Sequence, residues 1–267
     1  MVNGERLMVN EKSFVRVFED GLQLSRYAAA AFVAAAHTAI MERGIFSVAL
    51  SGGGTPQQFY ELLASPTYAD QINWQRVHLF WGDERAVPPD ADGSNYKQFK
   101  EAVLDHVAVP AENVHRVRGE LDVEFAAHDY MRQLETFALA HECVAASLWP
   151  PFDLVLLGLG GDGHTASIFP YTPIIIGKPT QAVTADYDGR PAHRVTLTEG
   201  VINDARQVWF MIKGAKKAQI VREVLQGAED VDRLPGQRIR PKNGTLTFLL
   251  DQPAAARLNP APHQNSA

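Results

Sequence analysis

Apolar and polar residues alternate from Phe14 to Phe18 (FVRVF), the period of a half-buried strand, and Asp20 then stands before an alanine-rich stretch, Leu22 to Arg43, that predicts a helix capped by that aspartate. Phe46–Leu50 (FSVAL), Val77–Trp81 (VHLFW), Phe152–Gly158 (FDLVLLG), Val208–Ile212 (VWFMI) and Gly244–Leu250 (GTLTFLL) are short apolar runs, the pattern of strands buried on both faces of a parallel sheet. Val195–Thr198 reads as one more short strand. Helices are predicted through Phe59, Tyr60, Leu62 and Leu63, from Asn95 to about His106 behind a Ser94 cap, and from the lysines at 216 and 217 to Leu225. A longer amphipathic helix spans Leu121 to about His141, with Phe125, Tyr130, Leu134 and Phe137 facing the core and His128 and His141 as surface or packing residues. Tyr171 to Arg190, broken by prolines and glycines, reads mostly as irregular loop, and the chain from Pro253 onward as a loose tail.

At least four segments share one order: a buried β run, then glycines or charges, then a helix. That order predicts an α/β fold, a modified Rossmann-like, mainly parallel sheet flanked by helices, in one domain over residues 1–252 with 253–267 as the tail. The 46% apolar composition supports a large core. With 25 basic against 31 acidic residues the net charge is −6, so neither nucleic acid nor an anionic membrane is an expected partner. An anionic ligand must then be gripped by a local cluster. A single cysteine, Cys143, leaves no intramolecular disulfide and reads as a small buried residue; no apolar leader or 18-residue apolar span is visible, and the expected location is the cytoplasm. No ligand spacing for a closed metal site is visible, and no cofactor is expected.

In a parallel sheet the strand ends converge on one edge, so three strand-end motifs should face one cleft. Ser51-Gly52-Gly53-Gly54-Thr55-Pro56 is an anion-binding nest, with Pro56 at the first helical position, although a flexible turn also explains such a run. Gly82-Asp83-Glu84-Arg85 puts three charges directly after VHLFW, more than a surface ion pair requires. Gly158 to His164 (GLGGDGH) sets Asp162 and His164 beside the bare backbone of Gly160 and Gly161, and an imidazole suits acid–base work near neutral pH. Arg194 before the VTLT strand and Lys217 after Gly214 supply fixed cations. A phosphorylated small molecule fits this set.

GLGGDGHTASIFP resembles the signature of the 6-phosphogluconolactonases. The likeness extends from Phe14 to Asp251 through SGGGTP, WGDER, Ser94-Asn95-Tyr96, RVTLT and the Gly214–Lys217 motif. It implies the fold shared with glucosamine-6-phosphate deaminases and ribose-5-phosphate isomerases, and hydrolysis of 6-phosphoglucono-δ-lactone, a phosphorylated sugar lactone, by a monomer or small homo-oligomer. His164 would be the general base, Asp162 would orient it or help place the sugar, Asp83 would belong to the reactive centre, and Arg85 would stabilise the oxyanion. Ser51, Gly52, Gly53, Gly54, Thr55, Asn95, Gly160, Gly161, Arg194 and Lys217 would bind substrate and its phosphate. The sequence departs from the family at Gly54, where a serine is usual, and at Gln57, where a basic residue is usual. Deaminases carry a tyrosine after their Asp-Glu pair and an Ile-Ala-Phe-Asn-Glu run after the histidine; Arg85 and Thr165-Ala166-Ser167-Ile168-Phe169 stand here instead. A non-catalytic sugar-phosphate sensor could lose Asp83 or His164, and both are present.

Overall fold

A computed structural model describes residues 5–10, 12–141, 149–173 and 175–259. Seven strands form the main sheet: β1 (Glu5–Asn10), β2 (Ser13–Phe18), β3 (Phe46–Leu50), β4 (Val77–Trp81), β6 (Leu154–Leu157), β9 (Gln207–Ile212) and β10 (Thr245–Asp251), in the order β1-β2-β10-β9-β6-β3-β4. All are parallel except β1, an antiparallel edge on β2 that the sequence pattern did not reveal. Three further strands, β5 (Asp83–Arg85), β8 (His193–Leu197) and β7 (Thr180–Thr184), make a separate antiparallel sheet.

Helices cover both faces. On one side α1 (Gly21–Arg43), α2 (Gly54–Leu63) and α4 (Asn95–Phe99, running into a π-helical turn to Leu104) enclose Phe32, Phe46, Phe59, Tyr60, Trp81 and Phe99. On the other, α5 (Val123–Ala140), α7 (Ala218–Gln226) and the small sheet bury Tyr130, Leu134, Phe137, Phe152 and Phe210. The short helices α3 (Pro66–Ala69) and α6 (Glu199–Asn203) lie in connections. Helix α1 begins as expected: the Asp20 carboxylate accepts from the Gln23 N–H at 2.8 Å, and Gly44 ends it in the left-handed region. Two buried tyrosines pin the ends of adjacent strands. Tyr60 donates to the Ser51 carbonyl and accepts from its N–H, and Tyr130 does the same at Trp81.

Three expectations are corrected and one is refined. Phe125 is 72% exposed: it lies five residues, hence about 140° of helical rotation, from Tyr130 on the buried stripe of α5. The stretch from Tyr171 to Arg190 is mostly irregular, as expected, but it holds β7, whose apolar residues are only Ala182 and Val183 and too few to signal a strand. Residues 253–255, read as the start of a loose tail, belong to the helical turn α8 (Gln252–Ala255), capped by the Asp251 carboxylate on the Ala254 N–H, with Ala254 buried. Helix α2 starts at Gly54, so Pro56 is its third residue and Gly54 and Thr55 lie in its first turn. Cys143 lies outside the described residues.

β3 and β4 lead outward to one edge of the main sheet, while β6, β9 and β10 lead toward the other. The reversal falls between β3 and β6, and a crevice at the carboxyl ends of strands is the consequence of such a switch. Asp153 closes the other end of that pair: its carboxylate accepts from the Ser47 N–H at 2.8 Å and meets Arg43 and Arg206.

Candidate active site

The loop after β3 is fixed before any ligand arrives. Gln98 accepts from the Gly53 N–H at 2.9 Å and donates to the Gly53 carbonyl at 2.7 Å, while Tyr60 holds Ser51. Gly52 lies so close to Asn95 that a Cβ there would fall 1.8 Å from the amide oxygen. The N–H groups of Gly54 and Thr55, in the first turn of α2, are the kind that lack intrahelical acceptors and serve anions. Gln57 turns away, accepting from Gln98 and donating to Glu61.

The three charges after β4 divide their roles. Glu84 is buried and accepts from the N–H groups of Arg85, Asn95 and Tyr96, each at 2.7 Å, and from the Ser94 hydroxyl. Burial pushes its carboxyl up, opposed by those backbone donors. It is a cap that fastens β5 to α4. Asp83 faces the cleft with its carboxylate engaged by the Ser167 hydroxyl at 2.6 Å and the Asn95 amide at 3.3 Å, which ties WGDER to HTASIF.

After β6 the chain folds tightly on itself. The Gly160 N–H donates to the His164 carbonyl, and the Asp162 carboxylate accepts from the His164 N–H at 3.1 Å and lies 2.6 Å from its Nδ1. The imidazole lies directly over Gly160, where a Cβ would sit 2.1 Å from Nδ1. Burial opposes ionisation of Asp162, but the hydrogen bonds and charge of His164 outweigh it and hold the carboxyl below its usual value. An ionised Asp162 accepts only, so it fixes the proton on Nδ1 and leaves the Nε2 lone pair free. Phe169 covers the ring at 4.5 Å and Tyr187 meets it edge-on, also at 4.5 Å.

Cations line the same space. Pairing of β5 with β8 sets Arg85 directly opposite Arg194, both buried. Like charges so placed are destabilising. The Arg85 Nε and the Arg194 Nε and Nη2 have no hydrogen-bond partner, and the Arg194 guanidinium lies 5.3 Å from the Phe169 ring centre. Lys217 donates to the Leu159 carbonyl at 2.6 Å; burial lowers its proton affinity while the nearby Asp162 opposes the shift. Together these residues enclose a cavity of about 410 Å³ that also meets Arg190 and Tyr187. No group of three His, Cys, Asp or Glu side chains among the described residues is arranged to hold a metal ion.

Of the residues singled out in the sequence, Ser51 to Thr55, Asp83, Arg85, Asn95, Gly160, His164, Arg194 and Lys217 all border this cavity. Asp162 stands behind His164. Gly161 is exposed, and its N–H is given to the Tyr187 hydroxyl at 3.2 Å. Ser167, Tyr187 and Arg190 escaped the sequence reading. Tyr187 had a signal, because Asp188-Gly189 is a hairpin-turn dipeptide; nothing local marks Ser167 as a partner of Asp83.

Fold and cleft define an α/β protein with an aspartate–histidine pair beside a cluster of buried cations. The chain belongs to the glucosamine-6-phosphate isomerase/6-phosphogluconolactonase family, whose model matches residues 19–248. It is 41% identical to the 6-phosphogluconolactonase of Synechocystis over 83% of this chain and 88% of that one, and 36% identical to that of Mycobacterium tuberculosis over 92% and 98%. The crystal structure of 6-phosphogluconolactonase from Thermotoga maritima superposes with a TM-score of 0.76 at 30% identity, covering 90% of this chain and all of that one.

Proposed function

We propose that this chain, acting as a single cytoplasmic domain, hydrolyses 6-phospho-D-glucono-1,5-lactone to 6-phospho-D-gluconate in the oxidative pentose phosphate pathway. One observation carries the reading: His164, backed by Asp162, shares a cavity with two buried arginines that keep side-chain N–H groups without a protein partner. The phosphate is held by Arg194, Lys217 and the N–H groups at the start of α2, with the lactone carbonyl toward His164. Nε2 of His164 takes a proton from water as the water oxygen bonds to C1. The C1–ring oxygen bond then breaks, and the same proton passes from Nε2 to the departing oxygen, which becomes a hydroxyl. The new carboxylic acid ionises and releases one proton to solvent. Arg85 and loop N–H groups stabilise the oxyanion formed on the way. With its carboxylate engaged by Ser167 and Asn95, Asp83 positions the two site segments and moves no proton.

The experiment is acid release from freshly generated 6-phosphogluconolactone, corrected for spontaneous hydrolysis, run beside ammonia release from glucosamine 6-phosphate. Fast acid release without ammonia is expected. Ammonia release, or acid release at the spontaneous rate, overturns the reading.

A further inference from the structure

The connection between β7 and β8 is a hairpin whose tip reaches the cleft. Ala185 donates to Ala192, Arg190 donates to the Tyr187 carbonyl at 3.1 Å, and the two residues between, Asp188 and Gly189, have φ of 54° and 65°. Two left-handed central residues make a type I′ turn, whose twist matches that of the strands it joins and which Asp-Gly favours. The first residue of that turn is Tyr187. Its ring stands at 81° to the His164 imidazole with centres 4.5 Å apart, and its hydroxyl accepts from the Gly161 N–H at 3.2 Å. Phe169 covers another side of the same imidazole, 5.9 Å from Tyr187.

The Asp162 hydrogen bond fixes Nδ1 but not the tilt of the ring about that bond. Tilt decides where Nε2 points. We infer that Tyr187 is a positioning residue for His164: the hairpin tip sets its aromatic ring at right angles against the imidazole and so limits that tilt. This rests on His164 acting as the base in the lactonase reading. Tyr187 belongs to neither core cluster, so its replacement leaves the fold intact.

Tyr187→Ala is expected to lower kcat roughly 10- to 100-fold, the cost of a misplaced reacting group, with KM changed less than about twofold. Tyr187→Phe keeps the edge and should stay within about threefold of the parent. In a His164→Ala background, Tyr187→Ala should add less than about twofold, because the residue acts only through the imidazole. A spectroscopic arm is independent of the reaction: the His164 Cε1–H resonance, under the ring current of Tyr187, should move in Tyr187→Ala and hold in Tyr187→Phe. Parent protein that hydrolyses no lactone defeats the functional reading, while the resonance still decides the contact. Parent-like kcat in Tyr187→Ala, equal losses in the Ala and Phe variants, an undiminished effect without His164, or an unmoved resonance each overturns the inference.

Discussion

At the residue scale the cleft assigns different duties to groups that look alike in the sequence. His164→Ala is expected to lower kcat by roughly a hundred- to ten-thousandfold with thermal stability preserved, because a lost proton acceptor is a kinetic defect. Asp162→Asn should cost a comparable amount, up to about ten-thousandfold, since the amide retains the contact and loses control of the tautomer. Steady-state rates with melting curves on the same preparations check both, and a His164→Ala protein of parental activity removes the residue from the mechanism. Gly54 makes a second case. A Cβ there meets nothing within 4 Å and its φ is not left-handed, so the position has room for a hydroxyl beside the first-turn N–H groups of α2. Gly54→Ser should lower KM for the phosphorylated lactone severalfold and leave kcat unchanged, and an unchanged or raised KM refutes a phosphate at that helix end.

Elements explain why such duties were only partly legible. Each strand with an unbroken apolar run was evident from the chain alone, as was the cap of α1, because burial and capping leave local marks. What stayed hidden was set by pairing. Arg85 and Arg194 become opposed only when β5 leaves the main sheet to pair with β8, and Glu84 becomes a cap only when α4 docks on it. β7 was lost among prolines and glycines with two apolar residues to announce it. A test at this scale concerns β4, where His78 stacks on His115, lies tilted against Phe137 and meets His141 edge-on. Burial first, then the neighbouring histidines, push His78 down to about 4 from an ordinary 6.5, and burial likewise pushes His115 to about 4. A base with a depressed folded-state value stabilises the fold while neutral. Its contribution is therefore complete above about pH 6.5, declines as the pH falls toward 4, and changes no further below that. For the 8%-exposed His78 the loss is on the order of 3 kcal/mol. Denaturant midpoints for the parent should fall across this window, and His78→Phe should flatten the fall; an equally steep decline in the variant excludes His78 as its source.

For the whole molecule, the paired guanidiniums are a cost to folding that an anion bound between them would offset. Inorganic phosphate at a hundred times its dissociation constant should stabilise the protein by about 2.7 kcal/mol, or roughly 5 to 10 °C in melting temperature. Arg194→Gln should respond much less, and in anion-free buffer it should melt no lower than the parent, since it removes a repulsion. A parent-like response to phosphate in the variant would remove Arg194 from the anion site. The strand order bears on how the molecule is made. Among the strands of the described residues β10 is the last to leave the ribosome, yet it is inserted between β2 and β9, with a six-residue register on each side. Until it emerges, the nascent chain is two part-sheets, the β1–β2 hairpin and the β9-β6-β3-β4 slab, each showing an unpaired edge to the other. Every anchor of the cleft has by then been synthesised, but the gap through the sheet stays open until residue 251 is out. Translation halted before Thr245 thus yields a chain with two sticky edges, a substrate for holding chaperones, where a protein closed by a peripheral strand would yield a trimmed but compact body.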